Sequence, residues 1–220
     1  MTTTGAPVAF LACGALARET AEILRRNGWD ADVHGISSHL HMEPLKIGPA
    51  VDAKLAELTK RYERVVVVYG DCGTGGRLDD VIARYPAARP ACVHCYQWFS
   101  GAEWGEISED ISVYFLTDWL VRAWETAAIK GLGLDRFPWL KDTYFEHITR
   151  VLFLRQDPDE DGALERKARE IADYLERPIE IRDTGLEPLE ELLKPLMETR
   201  SESPVGPAAE PLLEDTHVRT

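Results

Sequence analysis

Apolar positions fall along the chain as short unbroken runs that alternate with helical stripes. Pro7 to Ala12 is one such run, as a strand buried on both faces requires. Gly14 breaks it. Leu16, Ala17, Ala21, Ile23 and Leu24 then predict a helix over residues 15–26, with Asn27-Gly28 as its C-terminal stop. Residues 31–36 predict a weaker strand, and a loop from Ser37 to Pro44 leads to a helix over residues 49–62. Val65 to Val68, followed by Tyr69, form the clearest strand, since consecutive β-branched side chains suit a central parallel position. That strand runs into Gly70-Asp-Cys-Gly-Thr-Gly-Gly76, then a helix over residues 78–85 and a fourth strand over residues 90–94.

The second half is less regular. Residues 112–116 read either as a short strand or as the approach to a helix capped by Thr117-Asp118, which continues through Trp119, Leu120, Ala123, Trp124, Ala127 and Ala128 to Gly131. A helix over 144–148, a strand over 151–154, an amphipathic helix over 164–175, a strand over 179–181 and a helix over 186–197 follow. The rhythm predicts an α/β, Rossmann-like fold, doubly wound, with a mostly parallel sheet and helices on both faces. Pro204, Pro207 and Pro211 stand among small and acidic residues. The expectation is therefore a single domain over residues 1–200 and a disordered tail over 201–220.

Charge narrows the partners. The 220 residues carry 25 Lys and Arg against 38 Asp and Glu, a net charge of −13. That balance argues against a sequence-independent grip on nucleic acid and against an anionic membrane surface, both of which need clustered cations. No apolar run approaches the ~20 residues of a membrane helix, and the N-terminus lacks the basic start of a signal peptide. Four cysteines are too few for a disulfide scaffold in a chain this long, so a reducing cytoplasm is expected.

In open α/β sheets ligands bind beyond the carboxyl ends of the strands. Here each of the four expected strand ends delivers a potential metal ligand: Cys13, then His39 and His41, then Asp71-Cys72, then His94-Cys95. Thiols and imidazoles in a reducing compartment suit zinc or an iron centre better than magnesium or calcium. Cys13, Cys72 and Cys95 are the preferred thiolates, with His41 or His94 as a fourth ligand; three thiolates and one open position also suit an iron–sulfur cluster. Buried thiols equally fill cores without chemistry, and Cys92 is read that way.

The glycine-rich turn admits two readings. Its N–H groups at Gly73, Thr74, Gly75 and Gly76 could hold a phosphate or carboxylate, although neither a nucleotide P-loop nor a dinucleotide fingerprint is present. Alternatively the glycines only let Cys72 approach a metal closely. Tyr96, Trp98, Phe99 and Trp104 wall a ligand pocket or belong to the core. Glu19 or Asp71 would move a proton, Asp118 and Arg122 pair along one helix, and Asp157 to Asp161 reads as a solvated loop and helix start.

The strings Leu11-Ala-Cys-Gly-Ala-Leu-Ala-Arg-Glu19, Tyr69-Gly-Asp-Cys-Gly-Thr-Gly-Gly76, His94-Cys-Tyr96, Leu116-Thr-Asp-Trp-Leu-Val-Arg122 and Gly131-Leu-Gly-Leu-Asp135 resemble a prokaryotic family with a domain of unknown function. The resemblance spans residues 11–185. Members are typically encoded near corrinoid-dependent methyltransferases, so it implies one-carbon chemistry. A thiol or small methylated compound would be the substrate, and a corrinoid protein or its methyltransferase a partner. The implied roles are a zinc-dependent methyl-transfer enzyme or a non-catalytic metal or cluster carrier; a small-anion binding module is the third possibility. The Asp-x-His-x-x-Gly string of a corrinoid-binding domain is absent, so the chain is not expected to carry cobalamin itself.

Overall fold

The computed structural model describes residues 8–101, 104–108 and 110–198. Both the N-terminal heptapeptide and the expected tail over 201–220 lie outside the described residues. The protein is an α/β fold with two sheets, each parallel throughout, and with helices between the strands. Strands β1 (Val8–Cys13), β2 (Ala31–Ile36), β3 (Arg64–Val68) and β4 (Ala87–Ala88) form the first sheet in the order β2-β1-β3-β4. Helices α1 (Ala17–Asn27), α2 (Ile47–Leu58) and α3 (Arg77–Ile82) connect them. The second sheet holds β5 (Val113–Thr117), β6 (Arg150–Arg155) and β7 (Ile179–Asp183) in sequence order.

Burial explains which runs are uniformly apolar. β1 is flanked by β2 and β3 and every residue in it is buried, so no polar position is tolerated on either face. β6 is the middle strand of its sheet and separates two cores. Leu152 and Leu154 face the first core, whereas Val151 and Phe153 face the second, the period-two alternation of a strand. The second core is completed by Leu120, Val121 and Trp124 of α6 (Asp118–Trp124) and by Leu164, Ala168 and Ile171 of α8 (Ala163–Leu175). The first core reaches Leu189 and Leu193 of α9 (Glu187–Glu198) and Trp98 and Phe99 of α4 (Cys95–Ser100).

Several boundaries differ from the sequence pattern. The fourth strand is Ala87–Ala88 rather than residues 90–94: Pro90 has no N–H to give a ladder. Asp71 N–H and Cys72 N–H still donate to the carbonyls of Cys92 and Val93, so the two segments run side by side without strand geometry. The helix expected at 144–148 is α7 (Leu140–Tyr144), and α5 is Trp104–Ser108. Thr117 ends β5 and caps α6, its hydroxyl accepting from Leu120 N–H, so both readings of that segment hold in succession. Gly28 stops α1 in the left-handed region, as expected. Among the described residues no helix is long and apolar enough to cross a membrane.

Candidate functional site

Parallel registry brings the ends of the first sheet together: Cys13 pairs with Ile36, and Ala12 pairs with Val68, one residue before Tyr69. Cys13 closes β1, Cys72 sits in the turn after β3, and Cys95 is the first residue of α4, with His94 as its N-cap. All four cysteines are free thiols. Cys13, Cys72 and Cys95 lie within electrostatic reach of one another, so ionising one opposes ionising the next. Burial pushes Cys13 up to about 11, with Glu19 adding to the rise, while the Ala15 N–H at 3.4 Å from its Sγ works the other way. Burial and the neighbouring Cys13 and Asp71 push Cys72 up to about 12, and burial holds Cys92 and Cys95 high as well. The thiols are therefore neutral at pH 7, and none is an activated nucleophile as it stands.

The backbone around Cys72 is unusual. Cys72 has a φ of 49°, a left-handed conformation that a side chain adopts at a cost of ~1–2 kcal/mol. Its Sγ packs over Gly70: a Cβ there would come within 3.2 Å of that sulfur and 3.1 Å of His94 Cα. Only glycine fits between the two segments. Arg89 clamps the same region, its Nη1 donating to the carbonyls of Tyr69 at 3.2 Å and Cys92 at 3.3 Å. Its guanidinium also pairs with Asp79 at 2.6 Å. This cation eases ionisation of Cys72 and Cys92 against burial.

The glycine loop already holds an anion, its own Asp71 carboxylate. Gly75 N–H and Gly76 N–H donate to Asp71 at 3.0 and 2.9 Å, and the Thr74 hydroxyl donates to it as well. Burial opposes the charge on Asp71, but these bonds outweigh it and hold the carboxyl below its usual range. Asp71 is thus an ionised brace for the turn. Glu19 is different. It is buried on α1, and desolvation raises its pKa, with Asp118 and Asp157 raising it further and Arg122 opposing them. Its carboxyl is also felt by Cys13.

Tyr69 is fully buried and lies within electrostatic reach of Cys13, Cys72 and Cys95. Its hydroxyl lies beside Cys13 Sγ, yet makes no hydrogen bond of ordinary geometry there or with any other described atom. Leaving a buried hydroxyl unsatisfied costs ~1–3 kcal/mol. His41, in the 3-10 turn Ser38–Met42, stacks on the Tyr69 ring with centroids 5.7 Å apart and planes 16° apart. Its Nδ1–H donates to the Ser38 carbonyl at 2.7 Å, which leaves the Nε2 lone pair uncommitted by that bond. His94 turns its ring to Trp104, 5.3 Å away, and burial lowers its pKa, so it is neutral near pH 7. Tyr96 stacks on Phe115 of β5 at 5.1 Å, joining the two sheets, while Trp98 and Phe99 are core. Cys92 is buried in that core, as read from the sequence. Among the described residues, no group of three or more His, Cys, Asp or Glu side chains is placed to hold a metal ion.

One family model matches residues 36–193, the larger part of the chain, and its description is a protein of unknown function, DUF1638. The chain belongs to this family. No curated protein and no solved structure matches it. The DUF1638 match includes His41, Tyr69, Cys72, His94 and Cys95, while Cys13 and Glu19 stand before it on β1 and α1.

Three residues of this DUF1638 chain went unassigned or under-read in the sequence. Tyr69 reads as the last residue of an apolar strand, and its place directly before Gly70-Asp-Cys was the available signal. Arg89, before Pro90, looks like a loop cation until its side chain is seen to be buried. Asp157 reads as solvated but accepts Arg122 at 2.5 Å and Arg18 at 2.9 Å. The expected Asp118 and Arg122 pair is present at 3.8 Å. Asp118 is also fully buried, and it accepts the N–H groups of Gln156 at 3.1 Å and Asp157 at 2.8 Å.

Proposed function

We propose that the protein binds a thiophilic metal ion, zinc first, through Cys13, Cys72 and Cys95, and works as an enzyme in corrinoid-linked one-carbon metabolism. The observation that carries the metal reading is the gathering of three mutually coupled thiols at the carboxyl edge of one parallel sheet. Mutually repelling thiolates coexist only around a positive charge, which a metal ion would supply. His41 supports the reading as a further donor, because its Nδ1–H bond to Ser38 favours a free Nε2 lone pair.

A metal bound there would hold a substrate thiol as its thiolate, the form that accepts a methyl group. The chain's own residues supply the rest. Arg89 fixes the two segments that carry Cys72 and Cys95, and Asp71 braces the glycine turn. Glu19, buried beside Cys13 and biased towards its protonated form, is the group suited to exchange a proton at the thiol edge; Asp71, held ionised, is not. The corrinoid setting, with a corrinoid protein or its methyltransferase as partner, rests on the resemblance of the five strings. The bond between Asp71 and the loop amides argues against the small-anion module.

Elemental analysis of the full chain purified without air, beside Cys13→Ala, Cys72→Ala and Cys95→Ala, tests the metal. About one zinc per chain in the intact protein, lost in all three variants, is the expected result. Several irons and sulfides per chain would replace zinc by a cluster. Absence of any metal, together with failure to take up added zinc, would overturn the reading. Methyl transfer from a methylated corrinoid to a thiol by the loaded protein tests the enzyme. Its absence in a metal-bound chain would leave a carrier.

A further inference from the structure

The exposed aromatic rings of the described residues are confined to one place on the molecule. They are Phe137, Trp139, Tyr144 and Tyr174, with exposures from 38% for Tyr174 to 66% for Trp139. Phe137 and Trp139 meet edge to face with ring centroids 5.4 Å apart. Lys141, two residues on, sets its Nζ 5.4 Å from the centre of the Tyr174 ring and donates to the Tyr174 carbonyl at 3.1 Å. Tyr144 follows Lys141 by one turn along α7. A single exposed apolar side chain needs no explanation, whereas a cluster of rings marks a surface that something covers.

The rings stand on a firm base. Leu134 and Phe145, on either side of the segment, are buried in the second core, and Leu140 packs against it. The N–H groups of Phe137 and Leu140 donate to the carbonyls of Gly133 and Phe137 at 2.9 and 3.0 Å. Tyr174 leans edge-on against the buried Trp124, with centroids 6.2 Å apart. Little freedom remains to be lost on docking, which favours association.

Charge points to the occupant. Residues 130–147 set Lys130, Arg136 and Lys141 against Asp135, Asp142 and Glu146, a net charge of zero in a chain of −13. Neither a strongly acidic nor a strongly basic partner finds its complement there. A second copy does, because a two-fold arrangement presents the cations of each chain to the anions of the other while the rest of the surface stays apart. Four half-exposed rings from each copy would withdraw of the order of 800 Å² from water, about half of a standard interface, and the charged residues around them add to it.

We propose that the face formed by Phe137, Trp139, Tyr144 and Tyr174 is the interface of a two-fold homodimer. The face belongs to the second core and the thiols to the first, so this stands or falls independently of the metal reading. Sedimentation of the full chain over a range of concentrations tests it. Wild type should sediment at twice the mass of one chain at micromolar concentration. Trp139→Asp should raise the dissociation constant by ~100-fold or more, since the change enters the interface twice. Its far-ultraviolet circular dichroism should match wild type; if it does not fold, Tyr144→Asp takes its place with the same expected loss. Leu45→Asp, at a residue 70% exposed beside the first sheet, should leave the dimer intact. A wild type that stays monomeric throughout would overturn the proposal. So would a dimer that survives both Trp139→Asp and Tyr144→Asp, or one that Leu45→Asp breaks and Trp139→Asp spares.

Discussion

At the carboxyl edge of the second sheet the strong polar groups are answered inside the fold. Asp118 accepts from Gln156 and Asp157, Asp157 accepts Arg18 and Arg122, and Arg155 pairs with Asp183 and Glu165. At the carboxyl edge of the first sheet burial keeps the thiols neutral, and the Tyr69 hydroxyl makes no hydrogen bond of ordinary geometry. Arg89 and Asp71 are satisfied there, but only in holding the loops that present the thiols. Both edges are built from strand ends of parallel sheets, yet one is closed by its own charges and the other is left chemically incomplete. The first edge is where the proposed ligand would sit.

The contrast can be broken most strongly at Asp118. Asp118→Ala strands two backbone N–H groups and leaves Arg122 with Asp157 alone, and should cost ~3 kcal/mol in urea unfolding. Metal taken up per folded chain should not change; a loss of metal from well-folded Asp118→Ala would mean that the second edge takes part in the site. Gly70→Ala should cost ~1–3 kcal/mol, because the new methyl meets His94 Cα at 3.1 Å and Cys72 Sγ at 3.2 Å. Here stability and metal uptake should fall together, which titration and melting of the same sample would show.

Cys72→Gly sharpens the comparison with the opposite sign. Relief of the left-handed backbone should stabilise the empty protein by up to ~1 kcal/mol while abolishing metal uptake. A destabilised variant would mean that the thiol is packing rather than held in reserve. Glu19→Gln gives the smallest effect. Burial raises the Glu19 pKa, so its contribution to stability is full below the ordinary carboxylate range and is lost as pH rises through the folded value. Glu19→Gln should therefore melt above wild type at pH 8, and the gap should close towards pH 4. Parallel melting curves across that range would contradict this account.

Much of the first sheet is legible because its central strands, β1 and β3, are buried on both faces. Val65 to Val68 and the run before Cys13 leave no competing reading, and once the strands are parallel their carboxyl ends must meet. The division into two sheets is not legible, because periodicity carries no information about which strands share a ladder. The fourth strand is misplaced for a local reason: the pattern at 90–94 is apolar, but Pro90 removes the donor that a ladder there needs. Asp71 shows the limit of motif reading. A glycine-rich turn advertises free amides, and only the folded loop reveals that a carboxylate one residue from its start has taken them. Arg89, Asp157 and Tyr69 fall to the same limit, since a side chain's partner lies far away in sequence.

The two sheets also follow one another along the chain, and this has a consequence for the order of events during synthesis. A ribosome releases residues from the N-terminus onward, and early segments can fold while later ones are still being made. β1 to β4, and with them Cys13, Tyr69, Cys72 and Cys95, have all been made before Phe115 arrives to stack on Tyr96. α9, which packs on α4, comes later still. The nascent chain thus passes through a stage in which its thiols have been made but their outer cover has not. Loading during that interval would need no opening of the finished protein, and the same interval is when an oxidant could reach the sulfurs most easily.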